Sequence, residues 1–216
     1  MDFDFSNDQE QLRDAVRKWV DKGYTFERHN SIVREGGFSR AAWTELAELG
    51  LCGLYISEDH GGMGMGPTEG MLAMEELGRG IVMEPLAHAL IAGGVFSGYA
   101  PADVQAEWLP KVASGEALIV LAHQERKARY QLDKCEAKAT PAQAGWTLTA
   151  TKSIVPAGDQ ADAYLVPAMV DGTLAMFLVE RNASGVIAQG YGTQDGSRAA
   201  EVVFDNAAAT LVTRDG

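Results

Sequence analysis

The chain has 216 residues, 18 basic and 30 acidic, for a formal net charge of −12 with neutral histidines. Its 46% hydrophobic and 22% charged residues fit a soluble globular protein and exclude disorder as the dominant state. The acidic balance argues against nonspecific nucleic-acid binding, and the longest clean apolar run, Ala117 to Ala122, is too short to cross a bilayer. Cys52 and Cys135 stand far apart and in no metal-ligand spacing, so free thiols, a reducing cytoplasmic setting and no metal site are expected. The polar, acidic start, MDFDFSNDQEQ, does not read as a signal peptide.

Ser6 and Gln9 form a capping box, after which Leu12, Val16, Trp19 and Val20 share one helical face up to a stop at Gly23. Ser39 caps a second helix carrying Trp43, Leu46, Ala47 and Leu49, ended by Gly50. Pro67 opens a third, through Leu72 and Met74 to Leu77. Pro85 to Ser97 is almost wholly apolar apart from His88, the pattern of a buried helix. Ala102 to Ala113 reads as an amphipathic helix with Val104, Trp108, Leu109 and Val112 inward. After Gly115 the period changes. Ala117 to Ala122 reads as a buried strand, and Trp146 to Ala150 alternates. Ala163 to Ala168 and Thr173 to Val179 flank a hairpin turn at Asp171-Gly172. Val186 to Ala188 and Glu201 to Phe204 are further short strands, punctuated by Asp195-Gly196 and Asp205-Asn206. Helices and strands are segregated. The expected class is therefore α+β, a helical N-terminal domain (1–113) followed by a mainly antiparallel β-domain (114–216).

The glycine loop from Gly61 to Gly66 lacks phosphate-loop spacing and leads into an acidic helix, so a helix-to-helix turn is the expected role. The basic cluster Arg126, Lys127, Arg129, Lys134 and Lys138 starts at a strand end, where it suits a diphosphate or a solvated charged strand face equally well. His88 reads as a hydrogen-bonded core histidine. His123, beside Glu125 at the end of a strand, is better placed for chemistry. No self-contained nucleophile or acid/base pair stands out in the residues themselves.

Three segments carry a resemblance. Ala47 to Leu51 running on to Glu58-Asp59-His60-Gly61-Gly62-Met63-Gly64, the strand and loop Leu121-Ala122-His123-Gln124-Glu125, and Gly145-Trp146-Thr147-Leu148 through Thr151-Lys152-Ser153-Ile154-Val155 to Ala161-Asp162 resemble the acyl-CoA dehydrogenase family in order and spacing. More narrowly, His123 to Tyr130 together with Tyr191 to Gly196 is similar to a divergent branch, the small subunit of pimeloyl-CoA dehydrogenases.

The resemblance implies an FAD-dependent oxidoreductase of fatty acid degradation that carries out α,β-dehydrogenation of an acyl-CoA thioester, a dicarboxylyl-CoA such as pimeloyl-CoA included. It implies electron-transfer flavoprotein as acceptor, and an oligomer with itself or with a large acyl-CoA dehydrogenase subunit. Leu121, His123, Gln124, Glu125, Tyr130, Ile154, Val155 and Pro156 match flavin-contacting positions, and Arg126, Lys127 and Arg129 replace a glycine-rich turn near the pyrophosphate. Two positions depart from the family pattern: Gln124 stands for its threonine, and Pro156, which has no donor, for another. The catalytic base is expected in a C-terminal helical domain absent from these residues, so none is assigned here. By this reading the chain is inert alone and exposes apolar surface that promotes association. The alternative is a flavin-poor, non-catalytic supporting subunit of a heteromeric enzyme.

Overall fold

The computed structural model describes residues 4–214; the first three residues of the polar start lie outside them. Six helices come first: α1 (Asn7–Gly23), α2 (Phe26–Arg34), α3 (Arg40–Glu48), α4 (Pro67–Arg79), α5 (Leu86–Tyr99) and α6 (Ala102–Ala113). Seven strands follow: β1 (Ile119–Leu121), β2 (Lys138–Pro141), β3 (Trp146–Pro156), β4 (Ala163–Val170), β5 (Thr173–Glu180), β6 (Val186–Gly192) and β7 (Arg198–Arg214). The class is α+β, as the segregation of periods predicts.

The caps behave as their residues dictate. Ser6 and Gln9 exchange side-chain and backbone hydrogen bonds at the start of α1, and Ser39 caps α3. α2 escapes the periodicity argument because it is short and buries only Ile32; Thr25 caps it. α5 is less enclosed than a helix apolar all round should be, for Ile91 is 44% and Tyr99 62% exposed. The glycine loop joins α3 to α4 as expected. Gly62 is obligatory there, since a Cβ would lie 2.1 Å from the Ile56 carbonyl oxygen.

Asp171 and Gly172 both take positive φ, 51° and 86°, and join β4 to β5 in a two-residue hairpin. The strand pairings run β4–β2–β3–β7–β5 and back to β4, so the sheet closes on itself, with β6 alongside β7 and β1 parallel to β4. Most neighbours are antiparallel; β1 and β2 meet β4 in parallel. Asp205-Asn206, expected to end a strand, instead forms a bulge within the 17-residue β7, with Asn206 at φ 50°. The alanine-rich stretch before Trp146 supplies β2 and a turn closed by Ala142 N–H on the Gly145 carbonyl.

One hydrophobic core runs through both parts, joining Leu46, Leu54 and Leu77 of the helical half to Val120, Tyr164, Phe177 and Phe204 of the sheet. A second packs Phe96, Trp108 and Leu109 against Ile119 and Leu165. Trp43, fully buried, donates its indole N–H to the Gly115 carbonyl at 3.0 Å and anchors α3 to the point where helices give way to strands.

Candidate functional site

The site grows from a gap in the sheet. β1 ends at Leu121, where Ala122 N–H bonds the Leu165 carbonyl at 2.9 Å. The chain rejoins β4 only at Ala137, whose carbonyl accepts Met169 N–H at 2.8 Å. Residues 122–137 between them form a loop, and on the edge away from β5, which pairs Met176 with Pro167, β4 has no strand beside Pro167. Proline has no N–H to satisfy there. Its carbonyl accepts from Lys152 Nζ at 2.9 Å and from Cys135 Sγ at 3.3 Å.

Lys152 is fully buried and reaches this gap from the inward face of β3, in register with Leu148 and Ala150. Its Nζ also bonds Glu125 Oε1 at 2.7 Å and lies 3.4 Å from the His123 carbonyl. Glu125, 5% exposed, further accepts the N–H of Glu136 at 2.7 Å and of Ala137 at 3.1 Å. Burial pushes the Glu125 carboxyl upward, but Lys152 and the two amides outweigh it, and the group titrates below the usual carboxylate range. Burial raises the Cys135 thiol, which keeps it a poor nucleophile.

Above this pair the loop and β3 form a cleft of about 490 Å³, lined by Gln124, Arg126, Arg129, Tyr130, Ser153, Ile154 and Glu201. A second bulge shapes it: Lys152 opposes Val202 and Val155 opposes Ala200, leaving Ser153 and Ile154 to share Glu201. Ser153 N–H bonds the Gln124 carbonyl at 2.8 Å and ties the two walls together. The bulge drives Ile154 to φ 51°, strained for a β-branched residue, and turns its side chain outward, 51% exposed. Tyr130, at φ 62°, is 95% exposed, with the Arg129 guanidinium 5.7 Å from its ring centre. Arg126 Nη2 lies 3.3 Å from Glu201 Oε2. An adjoining cleft of about 510 Å³ holds Lys127, 3.6 Å from Glu136, with Arg126 on the shared wall and Glu125, Thr149 and Thr151 among its other lining residues.

Of the sequence-selected residues, the first cleft therefore gathers Gln124, Tyr130, Ile154, Arg126 and Arg129. Leu121 packs partly buried on the second core, and Val155 is buried in the first. His123 is half-buried, its Nε2 3.2 Å from the Leu132 carbonyl. Pro156 lines a different crevice, about 200 Å³, between α5 and the sheet, with His88 and Ser197. His88 is not the hydrogen-bonded residue expected of it: its Nδ1 is buried without a partner among the described residues, and burial lowers its pKa. The basic cluster lies on the loop, apart from Lys138 in β2, so a strand face is not its setting. Lys152, Ser153 and Glu201 were not selected. Extending the alternation Leu148, Ala150 by one more step places Lys152 inside.

Among the described residues, no group of three or more His, Cys, Asp and Glu side chains is placed to hold a metal ion. No described helix is long and apolar enough to cross a membrane.

Residues 6–116 match the family profile "Acyl-CoA dehydrogenase, N-terminal domain", about half of the chain. This chain belongs to the acyl-CoA dehydrogenase family. It is 29% identical over 189 residues to acyl-CoA dehydrogenase FadE12 of Mycobacterium tuberculosis, covering 83% of this chain and 48% of that protein. It therefore spans about half the length of the curated relatives it matches. Among solved structures, the Tcur3481-Tcur3483 steroid ACAD superposes with a TM-score of 0.88 at 26% identity, over 95% of this chain and 57% of that one. The ChsE4-ChsE5 complex of Mycobacterium tuberculosis gives 0.87 at 24% identity, over 99% and 59%, a likeness of fold. A glutaryl-CoA dehydrogenase of Mycobacterium smegmatis, solved in complex with FADH2, has the same fold, with a TM-score of 0.81 at 20% identity over 96% of this chain and 54% of that one.

The cleft suits a flavin in three respects. Ile154 offers an outward apolar surface, Gln124 a carboxamide donor, and Arg126 and Arg129 positive charge on the rim.

Proposed function

We propose that this chain supplies the flavin- and thioester-contacting part of an FAD-dependent acyl-CoA dehydrogenase. The observation that carries this reading is the single cleft into which two segments thirty residues apart bring Gln124, Arg126, Arg129 and Ile154. Ile154 would face the ring system, Gln124 would donate to it, and Arg126 and Arg129 would hold the diphosphate of FAD or CoA. FAD, when bound, supplies hydride acceptance from the β-carbon as the α-proton leaves. No residue of this chain is assigned the proton: Glu201, the carboxylate in the cleft lining, pairs with Arg126, and Glu125 is buried and committed to Lys152 and two amides. Alone, the chain is expected to be catalytically inert.

The finer reading follows the small-subunit resemblance: a dicarboxylyl-CoA such as pimeloyl-CoA as substrate, electron-transfer flavoprotein as acceptor, a large acyl-CoA dehydrogenase subunit as partner, and a cytoplasmic role in fatty acid degradation. The helical residues 1–113 and the β residues 114–216 would act as two domains with the acyl-CoA between them.

A second reading, a supporting subunit that holds no flavin itself, is favoured by two observations. Pro156 lines another crevice and carries no donor, and Glu201 offsets part of the charge of Arg126. The visible absorption spectrum of the protein, expressed alone and with a candidate large subunit, separates the readings. A flavin band in the chain alone supports the enzyme. Colour that develops only with the partner supports the second reading, and no flavin in either preparation refutes the first.

A further inference from the structure

Glu125 and Lys152 lie beneath both walls of the cleft. Glu125 is flanked in the chain by Gln124 and Arg126, while Lys152 is followed by Ser153 and Ile154. Removing a carboxylate and an ammonium from water offsets most of their mutual attraction, and a well-packed apolar pair of similar size is often as stable. An apolar pair, however, leaves the N–H groups of Glu136 and Ala137 and the carbonyl of Pro167 without these partners. Those groups mark the return of the loop and the gap in β4. The pair thus secures one conformation of residues 122–137 more than it adds to global stability.

We propose that Glu125 and Lys152 are positioning residues that set both walls of the cleft, so that the placement of Gln124, Arg126 and Ile154 depends on a buried ion pair that touches no ligand. The consequence for flavin rests on the function proposed above; the consequence for the loop does not.

The test compares the full chain, with the partner that loads it, as wild type, E125L/K152M, K152M and K152R. The double variant is expected to keep a cooperative unfolding midpoint close to wild type. Its deuterium uptake at residues 123–137 should rise about tenfold or more, and its affinity for added FAD should fall about tenfold or more. K152R should retain more FAD than K152M, because it keeps the charge. Wild-type uptake at 123–137 in the double variant overturns the proposal, as does raised uptake with unaltered FAD affinity. So does FAD loss that merely parallels global unfolding. If the double variant does not fold, E125Q/K152M carries the same readouts, since it leaves no unpaired buried charge while keeping the shape of residue 125. If the wild type binds no FAD in either setting, the proposed function fails, and uptake in the loop still decides whether the pair positions it.

Discussion

Ile154 is where the sheet bears strain, and replacing it tests whether that strain serves the cleft. A β-branched residue in the left-handed region costs about 1–2 kcal/mol relative to one that accepts it. Its side chain is 51% exposed, so its truncation forfeits about half of a full burial term, roughly 1 kcal/mol. Asparagine accepts positive φ through local hydrogen bonding. Ile154→Asn should therefore change global stability by less than about 1 kcal/mol in either direction, since the two terms nearly cancel. The neighbouring control, Val155→Asn, places an amide in the core at a residue only 1% exposed and should cost about 3–5 kcal/mol. Urea unfolding of the two variants, read as a shift of midpoint at constant slope, makes the comparison. The same Ile154→Asn change should weaken FAD about five- to tenfold by replacing the apolar surface with an amide. A loss of more than about 2 kcal/mol at Ile154 would show that its contacts outweigh its strain and would refute the reasoning.

Three further outcomes are expected. Tyr164→Phe removes a fully buried hydroxyl that donates to the Gly158 carbonyl at 2.6 Å; stability should fall by about 1–3 kcal/mol, seen as a Tm lower by about 3–10 °C, with the FAD spectrum unchanged. Glu76 is held below the usual carboxylate range first by Arg17 and then by Arg79, as Glu125 is by Lys152, so both groups contribute stability that is complete above the ordinary carboxylate pKa, about 4.5, and is lost as pH falls through their lower folded values. Urea midpoints between pH 3 and 7 should drop below that point, and E76Q should flatten the drop. Charge reversal at the exposed Arg129 should weaken FAD or the CoA ester by a few-fold to about tenfold at low salt and less at high salt; both affinities intact at low salt would rule out its diphosphate role.

Local chemistry made much of the fold legible before any coordinates. A capping serine, a proline at a helix start and an Asp-Gly turn act over four residues, and each of these stands where it was expected. What escaped was tertiary. The register of β3 on β7 decides that Ser153 and Ile154 bulge and that Asn206 bends a strand instead of ending it. No window of a few residues holds both partners of such a pairing.

The site divides along the same line. The residues that face outward into the cleft could be selected from one segment at a time, because Gln124, Arg126 and Arg129 lie within six positions. Lys152 pits two signals against each other: the alternation of Leu148 and Ala150 points it inward, whereas a charged residue in a strand is ordinarily placed on its solvent face. Its burial is explained only once β4 is seen to pass Pro167 with no strand on the edge away from β5, leaving a carbonyl that needs a donor. The lysine fills that need, and its own charge then requires Glu125, which in turn fixes the loop's return through Glu136 and Ala137. A gap in the sheet, rather than any motif, is thus the physical origin of the loop's placement. A cleft built on such a gap keeps its outward residues, such as Gln124, separate from the buried pair that holds the loop.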